Sequence, residues 1–504
     1  MSIRSDDAGS ARGVTRDGWP RRLRAGLDSY LGILLVGSGV RVFGLASQFI
    51  VLIIMGRMLA KSDFGDLMTA FGFYRLVAVA IGTGASLVVL FHVSRRPRDQ
   101  MQEVRLHRFS ALLAAAMSAA VALVAALFAH AIAAALGKPG LALWLQQLAP
   151  FAIFNALLIV LTGALEGRSR ITESIVLGEV APNGVRMVLL PLVSLAGLHE
   201  AWIAHVLTLS VVLPWLLALP RIGDRAIGGV QAWTRWDYGY AGKFMIATLF
   251  ANQLAAVDIL VASVLFSSET VGEYAIASRT AGLFAFFQIV MLKRFAPRAG
   301  ELIHNGDMTG LRAEVESCRR LAVGCTAFTI CGALAIAPFL FPLFGNYAGA
   351  LVFLSWLAIP SFVQSFYATS DRLLIIAGQS SVALIMTAAS FGVLTTTPFL
   401  TARWLGPIAI PVAMIVSVLM FNVIVLARAR QLFHVRTLTL RDIALMVLGV
   451  AALMTSAIYH TPLTLAGACL VLAAIGVGMG WAAMRQSLGA SPASAPQTDA
   501  LDVI

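Results

Sequence analysis

The sequence predicts an all-α polytopic membrane protein, and three observations predict it. Of 504 residues, 59% are hydrophobic and 12% charged, with mean hydropathy +0.85; soluble domains carry about a quarter charged residues. Apolar runs of roughly 20 residues, enough to cross a bilayer as a helix, recur along nearly the whole chain. The period-2 alternation of a membrane β-barrel is absent.

In chain order the spans are expected at 28–56, 64–92, 108–136, 141–165, 172–197 and 200–219, then 240–265, 270–292, 319–343, 348–376, 381–402 and 407–429, and finally 442–459 and 463–484, about fourteen in all. The domain plan is a basic tail (1–27), a first six-helix lobe (28–219), a linker (220–239), a second lobe (240–430), two further helices (431–484) and a disordered tail (485–504). The polar, arginine-rich first 27 residues precede a full-length span, so they are not a cleavable signal peptide. The final segment is rich in small and polar residues, the composition of a disordered tail.

Orientation follows from counting. With the N-terminus inside, inner segments hold 28 Lys and Arg and outer connections four (Arg57, Lys61, Lys138, Arg403); five more lie within spans. That asymmetry places both termini in the cytoplasm. It also accounts for the net charge of +12, since the basic residues sit where topology puts them, and no nucleic-acid partner is expected. Every connection is too short to fold into a catalytic domain, so an enzyme is not expected. Cys318, Cys325, Cys331 and Cys469 form no CxxC pair and read as small core residues, leaving no metal or cofactor expected.

The chain also repeats. A shift of 207 aligns "SDFGDLMTA" (62–70) with "ETVGEYAIA" (269–277), placing Gly65 on Gly272. Shifts of 209 and 211 place Gly197 on Gly406 and Gly167 on Gly378. Nearly constant offsets in the same order imply duplication of a six-helix unit with parallel topology, the arrangement of transporters that rock two halves about a central site.

The stretches "GRMLAKSDFGDLMTAFGF" (56–73) and "VDILVASVLFSSETVGEYAIASRTAGLF" (257–284) resemble the first helix junctions of the two halves of bacterial polysaccharide-export flippases, within the multidrug/oligosaccharidyl-lipid/polysaccharide flippase superfamily. Ala60-Lys61 departs from the Gly-Pro frequent there. The resemblance implies two six-helix bundles around a cleft lined by the first, second, seventh and eighth helices. It also implies an undecaprenyl-diphosphate-linked oligosaccharide substrate, moved from the inner to the outer leaflet for O-antigen, capsule or exopolysaccharide synthesis. The last two helices would form a groove for the lipid tail. A polysaccharide polymerase is an expected partner, and H+ or Na+ is an optional coupling ion.

Intramembrane charge marks the expected site. An arginine near the bilayer centre costs at least ~2.5 kcal/mol and so faces a cavity or a partner. Arg41 is mid-span in the first helix; Arg75 and Arg279 fall three positions apart once the repeats are aligned, close to one helical turn. Guanidinium grips phosphate oxygens through paired hydrogen bonds, so Arg41, Arg75 and Arg279 are the expected pyrophosphate ligands. The competing reading pairs each with a helix carboxylate, such as Glu273 or Asp258. Glu179, Asn183 and Arg186 share one helix face beside Pro182, as an internal network or as part of the sugar path. Asp258, with Asn252 and Gln253 one to two turns earlier, either orients Arg279 or holds a coupling cation. Tyr74 and Tyr274 are candidates for stacking on sugar rings, against a reading as packing or interface aromatics, and His205 is expected to be a buried polar group rather than a proton relay. Two rival functions are a cation-coupled multidrug exporter, which would present acids in its cleft, and a membrane glycan polymerase or ligase, which would need a long outer loop.

Overall fold

A computed structural model describes residues 30–95, 100–168, 170–222, 230–251, 256–376, 380–433 and 438–489, nearly all helical and with no strand among them. Nine helical stretches among these are long and apolar enough to cross a membrane, one of which (385–432) holds two helices; Ala46–Met58 and Trp202–Ala218 are shorter apolar helices. Asn252 and Gln253 lie outside the described residues, as do most of both tails. Arg41 is on a described helix, but its side chain is not described.

The first half comprises α1 (Tyr30–Met58), α2 (Lys61–Arg95), α3 (Gln100–Leu127), α4 (Ala129–Ala135), α5 (Leu141–Gln147), α6 (Ala149–Gly167), α7 (Ile171–Ile175), a π-helical turn (Val176–Val180), α8 (Ala181–Leu195) and α9 (Trp202–Ala218). The second comprises α10 (Arg235–Ala251), α11 (Asp258–Leu265), α12 (Ser268–Ala281), α13 (Phe286–His304), α14 (Met308–Leu340), α15 (Ala350–Ile376), α16 (Ser380–Leu405) and α17 (Ala409–Phe433). Helices α18 (Leu440–Tyr459) and α19 (Pro462–Gly489) follow. Within the first half α2 packs against α6; in the second, α15 packs against α13, α14, α17 and α18.

Three boundaries differ from expectation. Helix α10 starts at Arg235, inside the expected linker, and α19 continues to Gly489, past the expected end of order. The long connection expected between 292 and 319 is a helical hairpin, α13 turning at Asn305–Asp307 into α14. Asp307 caps α14 by accepting from Gly310 N at 2.8 Å, and Gly306 turns at φ 70°. The hairpin encloses its own small core of Phe295, Ala299, Leu302, Leu311 and Val315, packed against Leu373 of α15.

Two of the three repeat glycine pairs have structural counterparts; Gly378, the partner of Gly167, lies outside the described residues. Gly197 and Gly406, both just beyond helix ends, share the left-handed backbone (φ 62° and 56°). Gly65 and Gly272 face each other where α2 crosses α12, and a Cβ at Gly65 would overlap the Ser268 carbonyl. Around this point the contacts are reciprocal. Lys61 Nζ meets Glu273 Oε1 at 2.5 Å, and Ser268 Oγ donates to Asp66 Oδ1 at 2.5 Å. The 207 offset maps Lys61 onto Ser268 and Asp66 onto Glu273, so the two bonds are one interaction made twice about a pseudo-two-fold axis. Lys138 packs over the same seam, and burial pushes its ammonium down to about 8 against the attraction of Asp66. The partly exposed Lys61–Glu273 pair is worth at most ~1 kcal/mol; Phe64, Leu67, Val271 and Ile276, all completely buried, do most of the closing.

Helices α14 and α19 pack backbone to backbone, with Gly324 and Gly476 each at the other's carbonyl. Two turns away, Cys331 and Cys469 face each other, each thiol donating to the other's backbone oxygen (3.4 and 3.6 Å). Helix α18 is tied to α14 by a buried ion pair, Arg319 Nη1–Asp442 Oδ2 at 2.5 Å, with Thr439 and Asp442 forming a capping box. Arg319→Ala should destabilise the protein by about 3–5 kcal/mol, because it strands a buried carboxylate, whereas the double replacement Arg319→Met, Asp442→Leu should cost far less. Thermal unfolding in detergent distinguishes the two.

Candidate functional site

The site is a cavity of about 420 Å³ walled by α1, α2, α6, the π-turn, α8, α9 and α12, with Phe286 at the start of α13. Its polar lining consists of Gln48, Arg75, Asn155, Glu179, Asn183, Arg186 and Arg279. All but Arg279 come from the first half.

Local sequence explains how α8 presents its polar face. The π-turn Val176–Val180 widens the helix just before Pro182, whose ring cannot donate a backbone hydrogen bond. Asn183 Nδ2 donates to the Glu179 carbonyl at 3.0 Å and to the Gly44 carbonyl at 3.4 Å, tying the widened turn to α1. Arg186 is held on three sides: Nε donates to Ser210 Oγ at 2.9 Å, Nη1 donates to Asn183 Oδ1 at 3.3 Å, and the guanidinium lies 5.5 Å from the centre of the Phe71 ring. Asn183 and Arg186 thus form the expected internal network, and that network borders the cavity.

Arg75 and Arg279 reach the same cavity from the two halves. Gly282, the repeat counterpart of Arg75, lies on the wall one turn beyond Arg279. Arg75 interacts electrostatically with Glu179, Arg186 and Arg279, and Arg279 also with Asp258. Among the described residues no salt bridge closes on either, and Arg279 Nη2 is buried without a hydrogen-bond partner. Arg75 lies within electrostatic range of both Arg186 and Arg279, and Arg279 keeps an unfilled donor, an arrangement whose chemistry suits an anion.

Asp258 is completely buried behind this wall. It accepts hydrogen bonds from Ser278 Oγ (2.7 Å), Tyr274 Oη (3.0 Å) and its neighbour's backbone, Ile259 N (2.8 Å). Its charge faces Arg279 without forming an ion pair.

The tyrosines require a correction. Tyr274 is 1% exposed and spends its hydroxyl on Asp258; Tyr74 is fully buried and donates to the Leu145 carbonyl. Neither ring lies on the cavity wall, so neither stacks on a sugar in this structure. His205 is also misplaced by the sequence reading: it is exposed, with its ring edge-on to Trp202 at 5.5 Å. Conversely, Gln48 and Asn155 were not anticipated. The signal was available, since each is a lone polar residue in an apolar run, "LASQFIVL" and "AIFNALLIV".

Several solved structures share the architecture. An inward-facing multidrug resistance MATE family transporter superposes with TM-score 0.66 at 14% identity, covering 78% of this chain and 94% of that one. The lipid II flippase MurJ, in an inward closed conformation, superposes with TM-score 0.65 at 13% identity, over 90% and 99%. The chain has the fold of the MOP-superfamily transporters. A third MOP transporter with this fold, from Pyrococcus furiosus, is described by the reverse polarity of its binding pocket (TM-score 0.59, 13% identity, 81% and 96% covered). No protein-family model and no curated protein sequence matches the chain.

Proposed function

We propose that this MOP-fold protein is a flippase. It moves an undecaprenyl-diphosphate-linked oligosaccharide from the inner to the outer leaflet of the bacterial cytoplasmic membrane by alternating access, in polysaccharide biosynthesis. The observation that carries this reading is the meeting of Arg75 and Arg279, one from each half, in one cavity beside Arg186. A diphosphate supplies the oxygens this cluster lacks, and each half then holds part of the headgroup as the halves rock. With both termini cytoplasmic, the Lys61–Glu273 seam is the closed outer end. The diphosphate leaves a negative interior, and each charge moved through 100 mV gains about 2.3 kcal/mol. Outward movement is therefore favoured with or without H+ or Na+, for which Asp258 is the second-half candidate carboxylate. A polymerase would receive the product.

A multidrug exporter of lipophilic cations fits this cavity less well, because three guanidiniums repel a cation and, among the described residues, Glu179 is the one acid on the wall. Purified protein in liposomes should speed translocation of undecaprenyl diphosphate bearing a short glycan and leave ethidium efflux at background. Ethidium transport without glycolipid translocation would reverse the assignment.

A further inference from the structure

The polar residues lining the cavity fall into two classes. Arg186 and Asn183 are consumed by each other, by Ser210 and by the carbonyls of Glu179 and Gly44. Gln48 of α1 and Asn155 of α6 are half-buried on the wall. Among the described residues, neither carboxamide forms a hydrogen bond within the protein. Each offers two donors and an acceptor to the cavity, with none of them spent on the protein. Their positions suit one: Asn155 lies fourteen residues into the α5–α6 rod from Leu141, as Arg75 does into α2 from Lys61, and the two rods pack side by side. Gln48 is one turn nearer the seam, ten residues before the end of α1.

We infer that Gln48 and Asn155 form a sugar subsite beside the arginine cluster, reading the hydroxyl or acetamido groups of the ring bonded directly to the diphosphate. This rests on the flippase reading. The chemistry is that of a neutral, hydrogen-bonding group next to an anion: amides both give and accept, as hydroxyls do, whereas a second phosphate would have drawn further cations. The volume of about 420 Å³ accommodates a diphosphate with one ring and leaves the rest of the glycan outside. Recognition therefore falls on the first sugar, and glycan length is not measured here.

The test is binding by purified full-length protein, with undecaprenyl diphosphate and undecaprenyl diphosphate bearing one N-acetylhexosamine as probes. Wild type should prefer the glycosylated lipid by roughly ten-fold, as expected for one or two neutral hydrogen bonds. Gln48→Met with Asn155→Leu should erase that preference while still binding the bare diphosphate, which also reports a folded site. If the double variant does not fold, each single variant is read in the same way and should lose part of the preference. Equal binding of both lipids by wild type, or an undiminished preference in the variants, overturns the sugar subsite and leaves the headgroup site intact. Failure of wild type to bind either lipid overturns the flippase reading and this inference with it.

Discussion

Replacing Arg75 and Arg279 together by alanine should abolish glycolipid translocation while the protein remains folded in the membrane. Each charge-assisted hydrogen bond to a phosphate is worth about 1.5–3 kcal/mol. Losing one from each half therefore lowers affinity for the diphosphate by roughly 10²–10⁴. Lysine at both positions should restore part of the activity, since it keeps the charge but loses the paired geometry. A stability measurement separates this role from packing. Arg75 is repelled by Arg186 and Arg279 and attracted by Glu179, with no salt bridge to lose, so Arg75→Ala should leave thermal stability nearly unchanged while activity is lost, the usual sign of a site built for a ligand. A packing arginine would give the opposite result, with stability falling alongside activity.

Gly65→Ala should open the seam. The added Cβ would overlap the Ser268 carbonyl oxygen, lie 2.6 Å from its carbon and 3.1 Å from Gly272 N. These are backbone atoms on a packed helix, so α2 and α12 must separate. Overpacking of this kind costs typically 1–3 kcal/mol, which shifts a two-state equilibrium by roughly five- to 150-fold. The reciprocal contacts Lys61–Glu273 and Ser268–Asp66 go with it, because both span the same crossing. A cysteine placed at the seam should become reactive toward a membrane-impermeant thiol reagent in Gly65→Ala and stay protected in Gly184→Ala, whose Cβ meets nothing within 4 Å. Continued protection in Gly65→Ala would mean that the seam is not a closing surface. Gly272→Ala is the graded case: its Cβ would lie 3.1 Å from the Lys61 carbonyl, and a shift of a few tenths of an ångström relieves it.

Hydropathy reports the solvent around a helix, which is why the membrane character and the order of the helices were legible in the sequence. It does not report neighbours. The α13–α14 hairpin read as a loop because its mixed polar and apolar pattern is that of amphipathic helices packed on each other, with Phe295 and Leu311 hidden inside. Arg75 and Arg279 were findable because charge inside a span demands an explanation. The same reasoning applied to neutral amides would have found Gln48 and Asn155. Tyr74 and Tyr274 failed because an aromatic on the right helix can face the cleft or the core, and only packing decides. For Tyr274 the buried Asp258 carboxylate decided it, capturing the hydroxyl at 3.0 Å. The repeat was the most informative signal: one matched pair, Gly65 and Gly272, marked the place where the two halves touch.

The most direct measurement of the central claim is the affinity of purified protein for undecaprenyl diphosphate, compared between wild type and the Arg75→Ala, Arg279→Ala double variant. Saturable binding by wild type that falls at least a hundred-fold in the folded variant is the predicted result. Equal affinity in the two proteins would contradict the claim that these arginines hold the headgroup.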